Sequence, residues 1–241
     1  MAMNRDEVIT RSAGLPLEIH ESGGARAIYP SDGMGGTWFA INEHGIALAL
    51  LNWNDMSASG SPPAKTRSRG QAIPTLIGSR SLLDLHGVAG TSNFEGMLPF
   101  RLVGVFPSEQ QIWEWHWDST RIEVQVHAWK SRHWFSSSMS DERAKSERGT
   151  VCRNAEFEPD GGSMPWLRRL HASHAGGPGP FSLCVHRDNV MTRSYSEAVV
   201  SPGYIRMGHF RGSPCTMAQV DSIEIRTEVS STSENFGCTA F

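Results

Sequence analysis

Six consecutive apolar residues at positions 46–51, Ile-Ala-Leu-Ala-Leu-Leu, constrain the fold more than any other segment of the chain. An apolar run of this length between turn residues is typical of a strand that other elements cover on both faces. The largely apolar residues 37–41 precede it, and the polar and glycine residues at 42–45 separate the two runs, which predicts a β-hairpin. We therefore expect residues 46–51 to be a central strand of a sheet.

Three further segments predict an antiparallel meander, because each is rich in apolar and aromatic residues and short polar turns join them. They are residues 100–106, 111–117 and 122–128. Within the second segment, Trp113, Trp115 and Trp117 alternate along the chain and must lie on one face of the strand. That face either packs in the core of the protein or contributes to the wall of a ligand pocket.

Helical patterns separate this meander from a last group of strands. We predict one or two helices within residues 68–85, and further helices at 141–148 and 165–170. We predict the last strands at residues 181–186, 193–200 and 204–210. Strands, then helices, then strands, with few βαβ alternations, indicate an α+β fold with two mostly antiparallel sheets stacked between helical layers.

The chain has 241 residues, of which 39% are apolar, and this is enough for one large domain. We assign residues 1–227 to that domain. The Ser- and Thr-rich residues 228–234 contain few apolar side chains, so residues 228–241 are expected to form a flexible tail.

Charge and hydropathy exclude several classes of function. Lys and Arg total 22 against 25 Asp and Glu, and a net charge of −3 gives no electrostatic basis for nucleic-acid binding. No apolar run approaches the roughly 20 residues needed to span a bilayer, and no signal peptide is evident. We expect a cytoplasmic protein. The four cysteines are widely separated and lack C-x-x-C spacing, which favours reduced thiols over a disulfide framework, although a metal site is also possible.

Four motifs in a fixed order point to a known family. They are Asn-Arg-Asp-Glu at 4–7, Gly-Gly-Thr-Trp at 35–38, Asn52, and Ser-Arg-Gly at 68–70. In these motifs the chain resembles the NRDE proteins, also called the transport and Golgi organisation 2 family. The resemblance implies the four-layer αββα sandwich of N-terminal-nucleophile (Ntn) hydrolases. Family members usually open with a strand that begins Met-Cys, whereas this chain begins Met-Ala-Met, so we expect the Cys-bearing strand to be missing and the opening strand to be nearly absent.

The tetrad at 4–7 concentrates an amide, a guanidinium and two carboxylates, and alternation along a strand would place Asn4 and Asp6 on one face and Arg5 and Glu7 on the other. By resemblance to Ntn amidases, Asp6 would orient the amine of a nucleophile, and Asn4 or Arg5 would orient a substrate carbonyl or carboxylate. The alternative is an ion-paired strand end that only stabilises the fold.

The remaining motifs also have a functional and a structural interpretation. Trp38, after its Gly-Gly turn, either lines a pocket mouth or completes a hairpin. Asn52 either holds an oxyanion at the end of a strand or forms a turn. Ser68 is expected to cap a helix, and Arg69 could bind a carboxylate in bidentate fashion.

Among ten histidines, His186 and His209 are the best candidates for axial ligands of haem, although a lone histidine is more often structural. The chain contains no C-x-x-C-H motif, which excludes covalent c-type haem.

Two functions follow from the resemblance. The first is reversible binding and trafficking of haem, or of another small hydrophobic or anionic ligand, with no catalytic cofactor. The alternative is an Ntn-type Cys hydrolase or acyltransferase that acts on an amide or thioester, with a nucleophile upstream of Met1. A trafficking scaffold without a small ligand ranks below both.

Overall fold

The structure is a computed structural model that describes residues 1–57 and 66–227; the predicted tail at 228–241 lies outside this range. Seven antiparallel strands form the larger sheet, in the order β2-β3-β4-β5-β6-β7-β8. They are β2 (Leu17–Ser22), β3 (Ala25–Pro30), β4 (Phe39–Asn42), β5 (Ala47–Asn52), β6 (Phe100–Phe106), β7 (Gln111–Trp117) and β8 (Ile122–His127).

The smaller sheet has four antiparallel strands in the order β1-β9-β10-β11. They are β1 (Ala2–Val8), β9 (Val190–Ser201), β10 (Tyr204–Arg211) and β11 (Asp221–Arg226). β1 pairs with β9 alone, so its other edge carries no strand among the described residues.

The helices are α1 (Asn54–Ser57), α2 (Ala72–Leu76), α3 (Leu82–Thr91), α4 (Asp141–Ala155) and α5 (Met164–His171). Serine hydroxyls cap the three longest helices: Ser81, Ser140 and Ser163 each accept a hydrogen bond from a backbone N–H in the first turn of α3, α4 and α5. No helix in the described part of the chain is long and apolar enough to cross a membrane.

Three apolar clusters define the layers. One packs α2 and α3 against the larger sheet, a second fills the space between the two sheets, and the third packs α4 and α5 beside β1. The alternate residues of β5 take part in two of these clusters, with Leu48 and Leu50 facing the helices and Ala47 and Ala49 facing the smaller sheet. The predicted α+β fold with an αββα layer order is therefore confirmed.

Several local predictions are also confirmed. β5 is the fourth of seven strands, as its unbroken apolar run predicts, and the meander forms β6 to β8. Trp115 and Trp117 are buried, and Trp113 packs against the same cluster beneath α2 and α3. The tryptophan face of β7 therefore forms core.

Three predictions about strands differ from the structure. Residues 181–186 form no strand but only an isolated bridge at His186, because the Ser182 hydroxyl ties the local backbone into a turn by donating to the carbonyls of Gly179 and Cys184. β2 and β11 lie where no strand was predicted, at the ends of their sheets. The opening strand, expected to be nearly absent, is seven residues long, because β9 pairs with all of it, with one shift of register between Arg5 and Asp6.

Candidate ligand-binding cleft

A cleft of about 750 Å³ lies beside β1. All of residues 1–8 line it, together with Trp38, the segment 66–70, the loop 130–138 and the end of α5. The cleft therefore brings together six of the residues that the sequence singles out as site candidates: Asn4, Arg5, Asp6, Trp38, Asn52 and Arg69.

The side chains of β1 alternate between two sides of the sheet. Asn4 donates to the carbonyls of His171 and Leu183 at 2.9 and 2.8 Å, on the side covered by α5. Arg5 faces the larger sheet, where its guanidinium lies 4.4 Å from the ring centroid of Trp38. Residues on both faces of β1 therefore line the cleft.

Asp6 is held by two partners. Thr192 donates its hydroxyl proton to one carboxylate oxygen at 2.6 Å, and Arg148 of α4 approaches the other at 3.4 Å. Burial raises the pKa of Asp6, while the charge of Arg148 and the hydrogen bond from Thr192 oppose that rise. Arg148 also donates to the carbonyls of Ser136 and Pro180, so one buried guanidinium joins three segments around the cleft.

Arg5 is fixed by its own neighbours. Its guanidinium donates to the Ser12 carbonyl at 3.0 Å and to the Glu7 carboxylate at 3.2 Å, and it stacks on Trp38. Burial lowers the pKa of Arg5, and the nearby Glu7 offsets part of this effect. These contacts match the structural interpretation of the tetrad, in which Arg5 stabilises the strand end.

Arg69 differs from Arg5 in its partners. Ser68 caps the short helical turn at Arg69–Gln71 through its hydroxyl, as predicted. The Arg69 guanidinium donates to the Pro99 carbonyl at 3.1 Å and forms no salt bridge within the described ranges. Arg69 is half-buried, and this burial lowers the pKa of its guanidinium, while the charge of Glu7 opposes the change.

Positive charge dominates the lining. Eight basic residues line the cleft: Arg5, Arg11, Arg67, Arg69, Lys130, Arg132, Arg148 and Arg187. Only three acidic residues do so, namely Asp6, Glu7 and Asp32, and each is paired with one of the arginines. The chain as a whole has a net charge of −3, so the cleft concentrates charge of the opposite sign.

The loop 130–138 forms the wall opposite β1. The hydroxyl of Ser136 donates to the Asn52 carbonyl at 2.7 Å, and Asn54 donates to that hydroxyl at 3.2 Å. Asn52, which lines the cleft, therefore contributes its backbone carbonyl to the contact with the loop. Beneath the loop, Glu114 accepts a hydrogen bond from Trp134 at 2.9 Å.

Two residues that sequence reasoning missed also line the cleft, Arg148 and His171. Burial lowers the pKa of His171 to about 3, so the imidazole is neutral near pH 7, and its Nδ1 has no hydrogen-bond partner within the described ranges. Both residues stand in amphipathic helical segments rich in basic residues, and nothing in the sequence distinguishes them from their exposed neighbours.

The two predicted axial histidines do not line the cleft. The Nε2 atom of His186 lies 3.5 Å from the sulfur of Cys184 and 3.4 Å from that of Cys215. His209 is buried, and its Nδ1 lies 2.9 Å from the hydroxyl of Ser196 on the neighbouring strand.

Solved structures similar to this chain include an acylase and two variants of a hydrolase. Penicillin V acylase from Agrobacterium tumefaciens is 12% identical with a TM-score of 0.47, covering 93% of this chain and 81% of that chain. A variant of conjugated bile acid hydrolase from Clostridium perfringens is 8% identical with a TM-score of 0.41, covering 100% and 89%. Another mutant of that hydrolase is 10% identical with a TM-score of 0.43, covering 98% and 90%.

No match is found among the curated proteins. The sequence profile of a single family, described as Transport and Golgi organisation 2, matches residues 1–152. The match covers more than half of the chain and includes all four motifs that carry the resemblance. The chain therefore belongs to the Transport and Golgi organisation 2 family.

Proposed function

We propose that this protein is a cytoplasmic carrier whose cleft reversibly binds an apolar molecule bearing a carboxylate, and that haem is this molecule. The observation that carries the proposal is Arg69, a partly desolvated guanidinium that lines the cleft and forms no salt bridge within the described ranges. A buried charge is costly unless it is paired, and a ligand carboxylate would supply the missing partner through a charge-assisted hydrogen bond.

The walls suit an amphipathic ligand. The cleft volume of about 750 Å³ falls in the range of roughly 300–1,000 Å³ that is usual for small-molecule sites. Apolar side chains such as Leu98, Phe135 and Leu170 share the lining with the basic residues. A flat apolar body bearing anionic substituents matches this combination better than either a purely polar or a purely apolar ligand.

His171 is the axial candidate that the geometry favours. Its imidazole is neutral near pH 7, because burial holds its pKa at about 3, and its Nδ1 lacks a hydrogen-bond partner within the described ranges. A neutral imidazole nitrogen is the usual protein ligand of haem iron. Ligation by one histidine also suits a carrier, because the ligand must be released.

Haem titration tests the proposal. We expect a saturable Soret band on adding hemin to the wild-type protein at micromolar concentration. Replacing Arg69 by Gln removes a charge-assisted hydrogen bond worth about 1.5–3 kcal/mol, so affinity should fall by roughly 10- to 150-fold. Arg80→Gln is the matched control, since Arg80 is exposed and does not line the cleft. No saturable band, or equal affinities for the two variants, would overturn the proposal.

A second candidate, hydrolysis of an amide or thioester, is favoured by the position of Asp6. This residue lines the cleft on β1, whose other edge carries no strand among the described residues, and Thr192 and Arg148 fix the carboxylate where it could orient the amine of a nucleophilic cysteine on an added strand. The test is thiol-dependent acyl release by a protein extended at its N-terminus with a Cys-led segment. Release should be lost in Asp6→Asn and kept in Asp188→Asn, which alters an exposed carboxylate.

A further inference from the structure

Four potential metal ligands converge away from the lining of the cleft. His174 follows the end of α5, Cys184 and His186 lie in the irregular segment before β9, and Cys215 lies in the short 3-10 helix Pro214–Thr216 after β10. Their ligand atoms all lie within 4.8 Å of one another. The sequence gives little sign of this cluster, because the cysteines are 31 positions apart and lack C-x-x-C spacing.

Backbone hydrogen bonds hold the segments that carry these ligands. The N–H of Cys184 donates to the Ser173 carbonyl at 3.1 Å, and the N–H of His186 donates to the Gly179 carbonyl at 3.3 Å. The hydroxyl of Ser213 donates to the carbonyl of Thr192 at 2.9 Å, which fixes the turn carrying Cys215 to β9. The convergence is therefore a consequence of the fold.

The distances match those of a tetrahedral metal centre. Zinc bonds of about 2.3 Å to sulfur and 2.0–2.1 Å to nitrogen, at a tetrahedral angle, place sulfur and nitrogen ligands about 3.5 Å apart. The Nε2 of His186 lies 3.5 Å from the sulfur of Cys184 and 3.4 Å from the sulfur of Cys215. The rings of His174 and His186 meet edge to face, with centroids 4.8 Å apart.

Hydrogen bonding alone does not account for the arrangement. One imidazole nitrogen can donate or accept a single strong hydrogen bond, yet two thiols lie at nearly equal distances from the same Nε2. In addition, the Nε2 of His174 is buried and has no hydrogen-bond partner within the described ranges. Buried polar atoms are rarely left unpartnered, so this nitrogen points to a ligand.

We propose that His174, Cys184, His186 and Cys215 form a zinc site. Two thiolates and two imidazoles are the donor set that selects Zn²⁺ over Mg²⁺ or Ca²⁺, which prefer oxygen ligands. Four protein ligands leave no open position, so the zinc is structural rather than catalytic. Binding replaces the two thiol protons, which leave to solvent, and exposed Cys215 provides the path of entry.

The site would fix one wall of the cleft. Val185 and Arg187, on either side of His186, both line the cleft. Zinc would join the segment that carries them to the end of α5 and to the turn after β10. The proposal is independent of which ligand the cleft binds.

Metal content and thiol protection test the site on the intact chain. Protein prepared with zinc should hold one equivalent, and Co²⁺ in its place should give the intense visible bands and the thiolate charge-transfer absorption of a tetrahedral site. N-ethylmaleimide should label the exposed Cys215 only after chelation, as read by peptide mass mapping. Cys152, which is buried elsewhere on α4, should stay unlabelled in both states and serves as the internal control.

Substitution gives a second measurement. Cys184→Ser and His186→Gln should lose the bound equivalent, whereas Cys152→Ala and His20→Gln should keep it. If a variant fails to fold, the labelling of the wild-type chain still decides the matter. Rapid labelling of exposed Cys215 at saturating zinc, or a Cys184–Cys215 disulfide in protein isolated under non-reducing conditions, would overturn the proposal.

Discussion

Replacing Glu114 by Gln should destabilise the protein more than its position beneath a surface loop suggests. Glu114 is 3% exposed and lies among four polar partners. His127 and Trp134 contact one carboxylate oxygen at 2.8 and 2.9 Å, while His116 and Arg101 approach the other at 3.2 and 3.7 Å. Through Trp134 the carboxylate anchors the loop 130–138, which forms a wall of the cleft.

The magnitude follows from the pKa of this group. Burial alone would raise the pKa of Glu114, but the nearby imidazole of His116 and the hydrogen bonds from Trp134 and His127 outweigh burial and lower it from 4.5 to about 2. At 1.36 kcal/mol per pKa unit, this difference corresponds to roughly 3 kcal/mol of stability at neutral pH. Because the folded pKa is depressed, this stability is present in full above pH 4.5 and is lost as pH falls through about 2.

Urea denaturation followed by tryptophan fluorescence measures the effect. We expect Glu114→Gln to lower the free energy of unfolding by roughly 3 kcal/mol at pH 7, and by about 1.4 kcal/mol at pH 3, where more than half of the contribution is already lost. Glu123→Gln is the matched control on the adjacent strand, because Glu123 is exposed and its ion pair among the described residues is with exposed Arg121. This change should cost less than about 0.5 kcal/mol. Equal losses for the two variants, or a loss at pH 3 as large as at pH 7, would refute the reasoning.

Two further predictions concern stability. Arg148→Met should lower the free energy of unfolding in urea by about 1.5–3 kcal/mol, because half-buried Asp6 loses its charged partner. The same change should cost clearly less in an Asp6→Asn background, and equal losses in the two backgrounds would contradict the ion-pair account. Gly78→Ala should destabilise the protein by at least about 1 kcal/mol, because the added Cβ would lie 2.4 Å from the carbonyl oxygen of Ser22. In contrast, the Cβ added by Gly87→Ala in α3 meets nothing within 4 Å, and this change should stabilise the protein by about 0.5–1 kcal/mol. Thermal melting of the two glycine variants would show shifts of opposite sign, and shifts of the same sign would refute the packing argument.

The sequence predicts the layers of this fold because hydrophobic pattern is a local signal. The apolar run at 46–51 reports burial on both faces, and the structure places β5 in the middle of seven strands with a cluster on each side. β2 and β11 escape prediction for the same reason. They lie at the ends of their sheets, where their mixture of exposed and half-buried residues gives no clear apolar run.

The candidate site is less predictable, because it depends on contacts distant in sequence. The tetrad at 4–7 locates β1, but its ion-pair partner Arg148 stands 142 positions from Asp6 and resembles its exposed neighbours in α4. The sequence also does not distinguish the roles of the two arginines, because Arg5 and Arg69 are both plausible carboxylate-binding residues. Only the structure shows that the guanidinium of Arg5 already contacts Glu7, Ser12 and Trp38.

Arg5 and Arg69 have different partners, and this difference predicts different roles for them in the cleft. A guanidinium already held by a carboxylate gains little from a second anion, because its charge is compensated and its position is fixed. Arg69 gains more, since burial disfavours its charge and, among the described residues, its guanidinium donates only to the neutral carbonyl of Pro99. A ligand carboxylate should therefore pair with Arg69 rather than with Arg5, although both residues belong to motifs that carry the family resemblance, and the contacts of Arg5 fit a role in stabilising β1.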